Sequence, residues 1–197
     1  VAPHLSTGGS PEWLRKVINT LKNNFNIYVV EFSNISPKYV IQRNKIIELV
    51  GEKNFYSLGN TEAGSKGYYD SKYKILEIIN IINPDIIHLN EMPELFTYGG
   101  FPESILEILY RKKRPYKIYE TSHTSAGEPD SKKVFLPDGF IHPSILHFKH
   151  YRNFEIPQYL AEYPIEKREK KDRHLSLKKL NLDPEKIHVL QVGLFSS

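Results

Sequence analysis

Apolar positions along the chain fall into two alternating spacings. Over residues 11–24, Leu14, Val17, Ile18 and Leu21 lie on one helical face. Ser10 reads as its N-cap and Pro11 as its first residue, where a missing N–H costs nothing. Short apolar runs at 27–32 and 54–58 read as strands flanking a helix over 39–50 that Gly51 stops. Gly59, Gly64, Ser65 and Gly67 mark 59–69 as an irregular loop, and Ile75, Ile78, Ile79 and Ile82 give a helix over 71–82 ended by Pro84. A strand at 85–89, a helix over 102–112 with Ile105, Leu106 and Leu109 inward, and a strand at 117–121 follow. Residues 140–144 read as another strand, 156–165 as an extended piece, 175–180 as a short helix and 187–193 as a last strand ending at Gly193. Val1, Ala2 and Pro3 read as the end of a strand whose start is missing.

Strand and helix in alternation predict an α/β fold, an open parallel sheet with helices on both faces. Residues 1–165 are expected to form one domain, 166–186 a charged linker with a short helix, and 187–197 the opening strand of a second domain. With 197 residues, no cysteine and 40% hydrophobic residues, a disulfide-stapled scaffold is excluded, and the apolar content argues against long disorder. No apolar run reaches membrane-helix length and no signal-peptide pattern opens the chain, so an intracellular location is expected.

The net charge of +4 and pI near 9.0 raise the question of nucleic acid. The basic residues thicken at 111–114 and 167–173, the second run interleaved with Glu166, Glu169 and Asp172. Such mixed runs describe a solvated face rather than a phosphate-tracking groove, so no nucleic-acid partner is expected. A weak attraction to an anionic membrane surface is compatible with them.

In an open parallel sheet the chemistry belongs in the loops after the strands. His4 to Ser10 is a polar turn in which Gly8 and Gly9 let the backbone approach a ligand, and the N–H groups of the following helix favour an anion. The same glycines would also serve a tight strand-to-helix turn. Neither G-x-G-x-x-G nor Gly-Lys-Ser/Thr occurs, which disfavours an ordinary NAD enzyme or NTPase. After the fourth strand, Asn90, Glu91 and Glu94 could accept hydrogen bonds from sugar hydroxyls or an acceptor, whereas His88 reads as a satisfied core residue. No H-E-x-x-H arrangement is present, and no metal is expected. After the fifth strand, Ser122 and His123 could meet a bound hydroxyl or phosphate. Sequence neighbours on a strand point to opposite faces and no G-x-S-x-G elbow exists, against a serine hydrolase.

Four features in order carry a resemblance: Ser6-Thr7-Gly8-Gly9 before a helix, Pro84-Asp85-Ile86-Ile87-His88, Glu120-Thr121-Ser122-His123, and Val189-Leu190-Gln191-Val192-Gly193-Leu194. Together they resemble the N-terminal domain of a glycosyltransferase of family 4, of the GT-B class, over essentially the whole chain. The resemblance implies a Rossmann-like domain forming the acceptor side of a cleft, with a nucleotide-sugar donor held mainly by a second domain. It implies Gly8 and Gly9 at the donor diphosphate, His123 as the catalytic residue beside the donor sugar, and retention of configuration without metal or other cofactor. Ser122, Asn90, Glu91 and Glu94 are expected at the acceptor or sugar.

A hexosyl-type transfer to a glycan or lipid-linked cell-envelope acceptor is then expected, at the cytoplasmic side of a membrane, with this segment inactive by itself. The family's Asn-Gly turn is absent, Tyr163-Pro164-Ile165-Glu166 standing at about that place. The basic residues and paired glutamates that grip the nucleotide would lie beyond residue 197, so base and sugar are unread. A non-catalytic sugar- or nucleotide-binding module is the alternative, since one fold serves many functions.

Overall fold

A computed structural model of the chain describes residues 1–3, 5, 8–31, 41–58, 66–90, 102–121, 123, 134–151, 155–163 and 172–188, the side chains of 66–72 and 150 excepted. The chain divides into two compact units, Val1–Pro164 and Ile165–Ser197.

The first unit is α/β, and among the described residues every strand pairing in it is parallel. Helix α1 (Gly9–Leu21) is followed by β1 (Val29–Glu31), α2 (Ile41–Val50), a single 3₁₀ turn and β2 (Phe55–Ser57). Helix α3 (Lys66–Ile82), β3 (Ile86–Asn90), α4 (Glu103–Leu109) and β4 (Lys117–Thr121) follow. The unit closes with β5 (Gly139–His142), α5 (Ile145–His150) and β6 (Gln158–Leu160). β1 pairs with β2, and β3, β4, β5 and β6 pair in that order. The amino-terminal residues join the two sets. Ala2 pairs with Glu31 and donates its N–H to Val30 O at 2.9 Å, while Asn90 donates to Val1 O at 2.8 Å. The array therefore runs β2, β1, the amino-terminal segment, β3, β4, β5, β6, and its direction of growth reverses between that segment and β3.

Residues of one strand alternate between two apolar cores, as a buried parallel sheet requires. Val29 packs with Trp13, Leu14 and Ile18 of α1 and Ile46 of α2. Its neighbour Val30 packs on the opposite side with Ile75 and Ile78 of α3 and Ile105, Leu106 and Leu109 of α4, where Ile87, Leu89 and Ile118 join it. Helices thus cover both faces.

Several element boundaries differ from the sequence expectation. α1 begins at Gly9, with Gly8 rather than Ser10 as N-cap and no side-chain cap. Gly8 has φ +149° and ψ 177°, a backbone open to glycine alone, which lets the helix start earlier. Pro11 becomes the third helical residue, still in the turn whose N–H groups have no partner within the helix. α3 begins at Lys66, so residues 66–69 are helical rather than part of a loop. It ends where Asn83 turns left-handed at φ +49° before Pro84. The strand expected to reach residue 144 stops at His142, and α5 begins at once, capped by Ser144, whose hydroxyl accepts from His147 N at 3.3 Å.

In the second unit, α6 (Arg173–Lys179) is capped by the carboxylate of Asp172, which accepts from Leu175 N at 3.1 Å. Arg173 donates to Pro184 O at 2.7 Å and Lys186 O at 2.9 Å, folding the following turn onto the helix. Ile187 and His188 are not in a strand; the rest of the expected last strand, and residues 166–171 of the linker, lie outside the described residues. No helix among the described residues is long and apolar enough to cross a membrane.

Candidate functional site

Ligands of open parallel sheets bind beyond the carboxyl ends of the strands, where the order reverses. Here that point is framed by the start of α1, the end of β3, His123 two residues past β4 and the chain leaving β6. Four polar side chains from those places form one hydrogen-bonded row. Asn90, the last residue of β3 and 1% exposed, donates through Nδ2 to Ser10 Oγ at 3.2 Å. Its Oδ1 thereby faces His123 Nε2 at 3.0 Å, so Nε2 carries the proton. His123 Nδ1 then accepts from the Tyr163 hydroxyl at 2.8 Å.

The row rests on Trp13. Its indole meets the His123 ring edge-on at 5.0 Å between centroids and the His88 ring at 6.1 Å. Its Nε1 donates to Ala161 O at 3.0 Å, tying α1 to the chain that carries Tyr163. His88 Nε2 lies 2.8 Å from Thr121 Oγ1, so His88 is a partnered residue inside the sheet. Burial, then the charges of the terminal amine and His123, lower its pKa to about 3. Burial and then His147 lower that of His123 to about 4. Both imidazoles are neutral near pH 7. Both ring nitrogens of His123 are engaged, Nε2 as donor to Asn90 and Nδ1 as acceptor from Tyr163, which fixes the orientation of the ring.

The two glycines differ. A side chain at Gly8 is opposed by the backbone conformation, while a Cβ there would meet only Pro11 Cδ at an ordinary 3.9 Å. A Cβ at Gly9 would touch the Tyr163 hydroxyl at an ordinary 3.5 Å, so neither backbone nor space demands glycine there. Gly9 and Ser10 present first-turn N–H groups of α1, to which an anion is attracted.

A second polar pair stands at the end of β1. Glu31 is fully buried and accepts from Leu5 N at 2.6 Å and from Arg43 Nε of α2 at 2.6 Å. It anchors the chain that leads into Gly8. Trp13 also lines a cavity of about 580 Å³ with mainly apolar walls, whose other lining residues include Val17 of α1 and Tyr119, Ile141 and Tyr159 of the sheet.

Of the site residues expected from sequence, the structure brings together Asn90 and His123 and places Gly8 and Gly9 at the same helix terminus. Ser122, Glu91 and Glu94 lie outside the described residues. Ser10, Tyr163, Trp13 and the pair Glu31 and Arg43 were not anticipated at a site. Ser10 carried a signal, since a hydroxyl in the first turn of a helix after two glycines is well placed for a ligand. Tyr163 carried none, because its partner is 40 residues away. Among the described residues no group of three or more His, Asp or Glu side chains could hold a metal ion. No protein-family model, no curated protein and no solved structure matches this chain.

Proposed function

We propose that the chain is the acceptor-side half of a GT-B glycosyltransferase, a Rossmann-like domain that works opposite a donor-binding domain to move a sugar from a nucleotide sugar to a glycan or lipid-linked acceptor. The observation that carries this reading is the row Ser10, Asn90, His123 and Tyr163 at the start of α1, where the strand order reverses. Its α1 end offers N–H groups suited to a diphosphate, and its His123 end offers oriented polar groups suited to sugar hydroxyls. Transfer proceeds with retention and without metal. Amides of Gly9 and Ser10 and basic residues of the donor domain offset the charge developing on the leaving diphosphate. The site faces the cytoplasm, beside a membrane surface, and takes no nucleic acid.

A titration of the chain with uridine and guanosine diphosphate sugars, followed by amide and imidazole NMR, tests the binding half of this reading. Shifts centred on Gly9, Ser10 and His123, lost in His123→Ala while the fold persists, are expected; shifts elsewhere or none overturn it. Transfer is tested by joining the chain to a donor domain and assaying sugar incorporation, where His123→Ala should reduce turnover far more than stability. A second reading is a non-catalytic sugar- or nucleotide-binding module. It is favoured by the engagement of both His123 nitrogens, which serves recognition without any proton transfer, and binding without transfer would select it.

A further inference from the structure

Alternate residues of a strand face opposite sides of the sheet. Ile87, Leu89 and Ile118 pack with α3 and α4, and Phe140 and His142 meet Tyr151 of α5. The residues between them, His88, Tyr119 and Ile141, therefore turn to the side of α1, where Tyr159, in register with Ile141, joins them. On that side β4, β5 and β6 are the floor, and α1 the wall, of a trough of about 580 Å³.

The floor is kept low by a glycine. A Cβ at Gly139 would stand 2.9 Å from Tyr159 Cε2 and 3.0 Å from Tyr119 Cε1, closer than packed atoms allow. Glycine thus lets both rings lie across β5, edge-on to each other at 6.0 Å between centroids. The wall is Trp13, Val17 and Leu21, at helical spacing along α1. From Trp13 to Leu21 the helix rises about 12 Å. The bond from Trp13 Nε1 to Ala161 O holds that wall to the chain leaving β6.

The rim is polar and carries both signs: Lys16, which lies 3.9 Å from Glu12, and Thr20 on α1, and Glu162 after β6. The trough is continuous with the polar row, because Trp13 borders both and Glu162 precedes Tyr163, the partner of His123. A mixed rim suits an uncharged, hydroxyl-bearing head, whose oxygens accept from Lys16 and whose O–H groups donate to Glu162. An anionic head would meet that carboxylate. The apolar floor suits hydrocarbon. A docked helix does not fit, since two turns about 10 Å across occupy roughly 850 Å³.

We propose that the trough seats the hydrocarbon chain of a glycolipid acceptor whose sugar head lies at the His123 and Tyr163 end of the row. This rests on the glycosyltransferase reading above and selects a sugar carried on a single apolar chain as its acceptor. With carbon–carbon bonds of about 1.5 Å, each carbon advances an extended chain by about 1.25 Å, so the wall covers about ten carbons. Longer chains emerge past Leu21, which is 38% exposed.

Trp13 is the single tryptophan of the chain, so its fluorescence reports the trough directly. The probes are n-alkyl β-glucosides from butyl to tetradecyl, titrated below their micelle concentrations. Affinity should rise by about two- to fourfold per added carbon and level off near ten carbons. Thr20→Phe, a change at an exposed position, should bring the levelling down to about six to eight carbons, since the ring leans back over the preceding turn. Ile141→Phe, which raises the floor, should weaken the octyl and decyl glucosides about tenfold and leave butyl glucoside unchanged. Affinity that ignores chain length, or climbs without levelling, overturns the proposal. So does a levelling that neither variant moves, or Trp13 emission that changes with protein concentration before any glucoside is added, which makes a second copy the occupant. Tighter binding of alkyl phosphates than of glucosides of equal length overturns the uncharged head. Glucosides that follow the expected profile while nucleotide sugars shift none of Gly9, Ser10 and His123 support the trough and remove the glycosyltransferase reading; the converse pair of results removes the trough alone.

Discussion

His123 donates through Nε2 to Asn90 Oδ1 at 3.0 Å, a bond that depends on Asn90 spending its own amide protons on Ser10. Asn90→Asp places a carboxylate at that position. An anion against a buried imidazole favours the imidazolium. The pKa of His123 should rise from about 4 by roughly two units or more, read from the imidazole carbon-bound proton in an NMR titration. An unchanged titration would mean that the two side chains do not share the proton.

Gly8 and Gly9 should respond oppositely to alanine. At Gly8 the conformation of φ +149° must be strained or abandoned, and Gly8→Ala should cost about 1–3 kcal/mol in urea unfolding. Gly9→Ala adds a methyl group at ordinary contact distance from Tyr163 and should stay within about 0.5 kcal/mol of the parent. Equal costs would contradict the conformational distinction.

Removing the partner of a buried carboxylate is expensive. Arg43→Met leaves Glu31, fully buried, with Leu5 N as the neighbour that the described geometry retains, and should cost about 3–5 kcal/mol. The double variant Glu31→Gln with Arg43→Met should recover a substantial part of that loss, because no uncompensated charge remains. Chemical denaturation of the two variants measures the difference.

Stability should fall as the solution is acidified. Burial lowers the Val1 amine to about 5, His88 to about 3, and His123 and His142 to about 4. In the unfolded chain the amine regains 8.0 and the imidazoles 6.5, so between each pair of values the unfolded state binds more protons. Stability is therefore full above the unfolded values and is lost progressively as pH falls through them toward the folded ones. The urea midpoint should decline from about pH 8 down to about pH 4, the decline above about pH 7 belonging mainly to the amine. A flat profile over that range would show that these groups are as solvated in the fold as outside it.

What could be read from sequence follows how local each signal is. Lys117 to Thr121 is a strand in both readings, and the isoleucines of α3 mark its buried side, because period and length are properties of neighbouring residues. α5 carries no periodic signal, because six residues after Pro143 and Ser144 are too few to show a helical period. α1 starts two residues before the position its sequence signals mark, because the backbone of Gly8, not the side chain of Ser10, begins it. At the site, Asn90 and His123 were legible as polar residues just after strands. Their joining by Ser10 and Tyr163 was not, since those bonds span 80 and 40 residues. The pairing of Glu31 with Arg43 likewise depends on where β1 sets α2, which no spacing rule supplies.

The amino-terminal segment lying at the middle of the sheet also bears on the order in which the molecule assembles. β1 with β2, and β3 with β4, each close over a short crossover that carries a helix, but the bond from Val1 to His88 spans 87 residues. During synthesis, Val1 and Ala2 leave the ribosome long before β3 exists to receive them. Their burial is thus a late event, reached after both halves of the sheet have formed and at the entropic cost of closing a long loop. Until then both half-sheets expose an unpaired inner edge, which makes the nascent chain most prone to intermolecular strand pairing during that interval.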